Sequence, residues 1–184
     1  MKGLIFTEFL EMVEAKFSPE MLDRILERAE LPSGGAYTAV GTYDHTEMVE
    51  LVTCLGRETG IPTRDLVCSF GTHLFERFHQ TFPMYFVGIG STFDFLRHVQ
   101  DYIHVEVRKL YPDAELPSFS HETPAPERFV LVYQSSRPFS VLAEGLIRGC
   151  IAHFGESIDL EVEDLSGGSG TSARFLLTKR AAAA

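Results

Sequence analysis

The chain has no tryptophan, and Lys and Arg supply only 16 of its 184 residues against 26 Asp and Glu. The formal net charge of −10 leaves no basic face for phosphates, which argues against a general nucleic-acid or anionic-membrane binder. Cysteine is scarce as well. Cys54, Cys68 and Cys150 are odd in number, widely spaced and form no CxxC pair, so neither a disulfide framework nor a zinc knuckle is indicated. All three stand among apolar residues and are expected to be buried, reduced side chains. No apolar run reaches the ~20 residues that a membrane helix needs. Charge interrupts residues 1–11 too early for a secretory signal, so the expected location is the cytoplasm. There is no GxSxG elbow and no HExxH helix, and the Gly-rich turn at 166–170 is not followed by the Lys-bearing helix of a phosphate loop.

What is present is a large apolar inventory. Hydrophobic residues make up 45% of the chain and 15 of them are Phe, enough for one domain or two small lobes sharing a core. Apolar spacing of three and four predicts a helix over residues 3–15. A second is capped by Ser18 with Pro19 in its first turn. A third runs from an Asp44 cap to about Glu58, and a longer one opens at Thr63 or Asp65 and ends before Phe82. Residues 36–43 read as a loop or extended piece, and 88–90 as a loop. Phe93, Leu96, Val99, Ile103, Val107 and Leu110 predict one further helix, stopped by Pro112. Residues 116–126 read as an irregular crossover. Alternation then predicts strands at 128–133, 158–165 and 172–178, with a helix at 139–154 between the first two. The pattern is α+β: a helical first part and a small, mainly antiparallel sheet near the end. The expected division is a helical subdomain over about 1–62 and a second over about 63–180, with Ala181 to Ala184 an appended tail.

Two features carry chemistry. His104 lies beside Ile103 at the margin of the apolar stripe, so its ring can point inward. A neutral inward imidazole offers a lone pair to a metal and an N–H to an acceptor. A lone histidine in such a place is also an ordinary boundary residue. About thirty residues on, Tyr133, Ser135 and Arg137 are spaced by two, which in a strand puts all three on one face. Two hydroxyls and a guanidinium fork suit a pair of carboxylates reached from one side. The same spacing also describes a solvated polar strand face.

Together these features resemble the H-NOX family, the haem-nitric oxide/oxygen binding domains related to the haem domain of soluble guanylate cyclase. The resemblance rests on the start from Met1 to Phe6, on His104 with Lys109, Leu110, Tyr111, Pro112, Asp113, Leu116 and Pro117, and on Tyr133, Ser135 and Arg137. It covers residues 1–180 and looks like a bacterial stand-alone member. It implies haem b as cofactor, His104 as the axial ligand of its iron, and Tyr133, Ser135 and Arg137 as the clamp on its propionates. Ile5 and Pro117 match positions that press on the macrocycle and bend it.

Oxygen-binding members of the family carry a distal Tyr in a hydrogen-bonded polar set. Counting from Arg137, with Gly145, Leu146 and Ile147 as anchor, that place here is Leu142. The matching partners are Phe9 and Leu74. A pocket lined by Phe9, Leu74, Phe78, Leu142 and Leu146 has no donor for bound O₂, whereas NO and CO bind ferrous iron without one. The resemblance thus implies a nitric oxide sensor that excludes O₂, is not an enzyme, and signals through weakening or cleavage of the Fe–His104 bond. The chain is short for an output domain, so the expected partner is a histidine kinase or a cyclic-di-GMP enzyme. A peroxidase-type haem enzyme and a haem carrier are the alternatives. The structural zinc of some members is not expected, because no Cys follows Phe154, and the remaining histidines (His45, His73, His79, His98, His121, His153) read as surface residues.

Overall fold

The computed structural model describes residues 1–180, so the expected tail at 181–184 lies outside the described residues. The helices are α1 (Gly3–Lys16), α2 (Pro19–Arg28), α3 (His45–Thr59), α4 (Thr63–Thr81), α5 (Thr92–His98), α6 (His104–Leu110) and α7 (Ser140–Phe154). The strands are β1 (Ser118–Ala125), β2 (Arg128–Gln134), β3 (Ile158–Asp164) and β4 (Ser172–Lys179). They form one antiparallel sheet in the order β1-β2-β4-β3, and the fold is α+β.

The local signals act where the sequence puts them. The Ser18 side chain accepts the Met21 N–H and Asp44 accepts that of Thr46, which satisfies amide groups left free at the starts of α2 and α3. Gly60, at a φ of 73°, ends α3 in the left-handed conformation that glycine adopts without strain. In the sheet, Phe129, Leu131 and Tyr133 of β2 and Ala173, Phe175 and Leu177 of β4 are all buried, the period-two pattern of a half-buried sheet.

The structure differs from the sequence expectation in two elements, each with a physical cause, and in the burial of a few side chains. Residues 118–125 form an edge strand rather than a crossover, pairing Phe119 with Tyr133 and His121 with Leu131. Their side chains are mostly exposed, so no apolar alternation marks them. Pro124 is tolerated because the register breaks between Glu122 and Ala125 on the strand that has one free edge. The single helix expected around His104 is interrupted by a π-helical turn over Val99–Ile103, with the His104 N–H bonded to the Val99 carbonyl. A π turn adds a residue and rotates the helix beyond it, so Leu110 is 67% exposed although it continues the stripe on paper. Cys54 and Cys150 are buried as expected, whereas Cys68 is only half-buried. Among the remaining histidines, His98, His121 and His153 are exposed, but His45, His73 and His79 are half-buried.

Packing gathers into two clusters. One joins α1 to α4 through Phe6, Phe9, Met12, Leu51, Leu55, Phe70 and Leu74; the other joins the sheet to α5 and α7 through Phe93, Leu96, Phe129, Ile147 and Phe175. Helices α4 and α7 meet backbone to backbone between them. A Cβ on Gly145 would stand 2.2 Å from the Cys68 carbonyl oxygen and 2.8 Å from the Gly71 Cα, so only glycine permits this approach. Charge fixes the same helices. Glu144, 2% exposed, accepts from Arg64 of α4 at 2.6 Å and from Arg148 at 2.8 Å. Glu8, 4% exposed, ties α1 to Arg77 of α4 at 2.6 Å. A carboxylate buried this deeply needs such partners, because leaving its charge unpaired costs several kcal/mol. Gly145→Ala is expected to lower stability by about 1–3 kcal/mol, the usual range for forced overpacking, measurable by urea denaturation. An unchanged midpoint means that α4 and α7 separate without cost.

Candidate functional site

A cavity of about 420 Å³ lies between the α4–α7 pair and the segment that runs from the π turn to β1. Its α4–α7 wall is apolar, built by Leu74 and Phe78 of α4 and Leu142 and Leu146 of α7. The Gly71–Gly145 approach fixes the separation of these two helices, so the depth of the wall is set by their side chains. Ile5 of α1 and Pro117 also line the space.

Ile103, His104 and Val107 line the cavity from the π turn and α6. The enclosed Nδ1 of His104 has no hydrogen-bond partner within bonding geometry. Burial, aided by the charge of Arg108, pushes the imidazole pKa down to about 4, while the Pro117 carbonyl acts in the opposite direction. Near neutral pH the ring is therefore an uncharged base held against an apolar space, the state required of an imidazole metal ligand. The Phe119 ring of β1 stands beside it, with centroids 5.6 Å apart.

Tyr133, Ser135 and Arg137 all line the same cavity, but not as one strand face. Strand β2 ends at Gln134, the Ser135 N–H continues its pairing to the Thr171 carbonyl at 2.9 Å, and the chain bends over 136–138 before Arg137 can follow the strand face. Tyr133, 2% exposed, directs its hydroxyl to the Arg137 carbonyl at 3.4 Å. The Ser135 hydroxyl accepts the Arg137 N–H at 3.1 Å. Two of the three side chains thus build the turn that presents the third. Arg137 supplies the cation, its side chain 16% exposed and its Nη2 donating to Glu115.

The donor set fits a flat apolar group that carries a metal and an anionic edge: a neutral imidazole on one wall, hydrocarbon opposite, and a guanidinium where carboxylates would leave the cavity. The family model described as Haem-NO-binding matches residues 2–162. The chain belongs to the H-NOX family. It is similar to the Fe(II) unliganded H-NOX protein from K. algicida, with 37% identity, a TM-score of 0.91, and 98% of this chain and 97% of that chain covered. It is also similar to the H-NOX from Shewanella woodyi in the Fe(II)CO state bound to IWP-051, with 39% identity, a TM-score of 0.85, and coverage of 100% and 97%. The H-NOX from S. oneidensis in the Fe(II)NO state shares the fold at a TM-score of 0.89, with 24% identity and 98% and 100% covered. No curated protein matches the chain. Relatives at this distance place its fold within the H-NOX group along its whole described length.

Within this H-NOX cavity one expected residue is displaced and three others were missed. Phe9 does not line the space; it is wholly buried behind the wall, edge-on to the Phe70 ring at 5.2 Å. Ile5, one turn earlier on α1, reaches the cavity instead. Tyr85 lines it and is a phenol the apolar reading of the pocket omitted. Burial raises its pKa, helped by Glu106, Tyr102 and Tyr111, so it stays neutral, and its ring stands edge-on to Tyr102 of the π turn. Cys150, wholly buried, also lines it, and burial pushes its thiol up. Glu115 lines the mouth beside Arg137. Tyr85 and Glu115 stand in no periodic or motif context, whereas Cys150 continues the α7 stripe of Leu142 and Leu146 at a spacing of four. No helix among the described residues is long and apolar enough to cross a membrane.

Proposed function

We propose that this H-NOX chain is a sensor that holds haem b, takes up NO and CO, excludes O₂ and passes the signal to a partner protein. The observation that carries the reading is the contrast between the two walls: a neutral His104 on one side and, opposite, Leu74, Phe78, Leu142 and Leu146 without a polar atom. Relatives in Fe(II)NO and Fe(II)CO states support the gas assignment. When bound, haem supplies a ferrous iron that can take a diatomic gas.

The chain's own residues then have separable tasks. His104 ligates through its uncharged ring. Arg137 pairs with the propionates, presented by the turn that Tyr133 and Ser135 hold. Ile5 and Pro117 press on the macrocycle from the cavity walls. On the α4–α7 side Leu74, Phe78, Leu142 and Leu146 exclude water and offer no hydrogen bond, the Cys150 thiol being at most a weak donor, and O₂ would need a strong donor there while NO and CO would not. Tyr85 is the phenol that could compete for that role, but its ring packs edge-on to Tyr102 of the π turn, with centroids 6.2 Å apart.

Signal output depends on the attachment of His104. It opens α6 just after the π turn, so loosening its hold releases a short helix with few buried side chains. The released surface meets a histidine kinase or a cyclic-di-GMP enzyme.

Absorption spectra of the reduced protein under argon, then with NO, CO and air, test the reading directly. A five-coordinate ferrous haem that binds NO and CO and forms no stable oxy complex is expected. A stable oxy complex overturns the donor-free wall, and turnover of peroxide overturns the sensor in favour of an enzyme. His104→Gly is expected to lose the ferrous spectrum and regain it with added imidazole; an unaltered spectrum removes His104 as ligand. Arg137→Ala is expected to weaken haem binding by about tenfold or more, the scale of one hydrogen-bonded charge, read from haem transfer to apomyoglobin.

A further inference from the structure

Residues 111–117 link α6 to β1 across the mouth of the cavity, and charge ties this link down at two points. Near its start, Asp113 Oδ1 lies 2.9 Å from Lys2 Nζ, and the Thr42 hydroxyl donates to Asp113 Oδ2 at 3.1 Å. Lys2 also donates to Thr42 at 2.8 Å, which closes a three-membered ring of contacts. The same ammonium stands 4.9 Å from the centre of the Tyr111 ring. Two residues past Asp113 the link turns the other way, and Glu115 accepts from Arg137 at 2.5 Å. Leu116 and Pro117 complete the span and line the cavity.

The two acids differ in what their partners do otherwise. Lys2 and Thr42 reach the cavity lining but are not among the groups that the proposed function gives to the propionates, so their bonds to Asp113 bear on the link itself. Arg137 is the cation that the proposed function gives to the propionates. Its side chain is 16% exposed and the Glu115 side chain 69% exposed, so the acid can swing into water while the guanidinium cannot follow. A guanidinium donor given to Glu115 is withheld from a second carboxylate, and the two anions repel each other at that distance.

Resting on that function, we propose that residues 111–117 form a clasp over the cavity mouth, in which Asp113 holds the clasp shut and Glu115 competes with the haem propionates for Arg137. The consequence is that two acids two residues apart act on haem retention with opposite signs. Asp113→Asn frees the link and opens the mouth. Glu115→Gln leaves the loaded clasp in place, because Arg137 is then on the propionates, and removes only the competitor.

The test is haem transfer from the full chain to excess apomyoglobin, run with haem and with its dimethyl ester. Asp113→Asn is expected to speed loss of both by about threefold, and Glu115→Gln to slow loss of haem by about threefold, the range of partly exposed ion pairs. With the ester, which has no carboxylate to compete for, the Glu115→Gln effect should vanish while the Asp113→Asn effect remains. Faster loss from Glu115→Gln, an equal effect on the ester, or no change from Asp113→Asn overturns the clasp. Wild-type protein that takes up no haem overturns the proposed function and the clasp with it. Normal uptake with the wrong signs overturns the clasp alone.

Discussion

Two glycines in contact set the geometry on which the site depends. Gly71 and Gly145 let the backbones of α4 and α7 touch, and any side chain at either position would meet the opposite main chain. The tight crossing fixes where Leu74 and Phe78 stand relative to Leu142 and Leu146. It also explains the buried carboxylate beside it. Once the helices are this close, Glu144 is shut away from water, and Arg64 and Arg148 must come to it from both helices. The apolar wall and the ion cluster are two results of one approach.

The opposite side of the cavity is built by different means. There the helix is broken by a π turn, α6 is only one or two turns long, and residues 111–117 after it have no regular structure. Rigid hydrocarbon therefore faces a segment that charge and a few contacts hold in place. A ligand pressed between them transmits force to the weaker side. The His104 imidazole stands at the start of α6, next to the π turn, on the element whose displacement costs least. Arg137 sits apart from this, on a turn braced by Tyr133 and Ser135 at the end of β2, so the guanidinium rests on the sheet while the imidazole rests on the less constrained segment.

How much was legible varied with the range of the interaction involved. The caps at Ser18 and Asp44 were readable because the bond runs between residues two or three apart. Strands β2 and β4 were readable because they bury one face, which produces the alternation. Strand β1 was not, because its order comes from pairing with β2 and its side chains are exposed, so its residues carry no mark of their own. The π turn was equally hidden: Val99, Ile103 and Val107 fit a regular helix, and only the packing of Phe119 and Gln100, joined at 3.0 Å, shows where the extra residue goes. Of the candidate site, His104, Tyr133, Ser135 and Arg137 were named from spacing and resemblance, and the cavity brings all four together. Phe9 was assigned through the resemblance, whereas the α1 residue that lines the cavity is Ile5, one turn earlier. Tyr85 and Glu115 were missed because no local pattern distinguishes them, and Cys150 because its place four residues past Leu146 was read only as ordinary burial.

By itself the sequence determined the helix and strand inventory in outline, the α+β class, the H-NOX family and the residue types that carry its chemistry. These depend on composition, short-range bonds and periodic burial, all of which are written along the chain. Tertiary structure alone decided that Tyr133 and Ser135 hold a turn while Arg137 faces outward from it, that Glu115 stands across from that guanidinium, and that Asp113 is tied to Lys2. Those contacts join residues 22 and 111 positions apart, and one-dimensional spacing carries no information about which distant charges the folded chain brings within bonding distance.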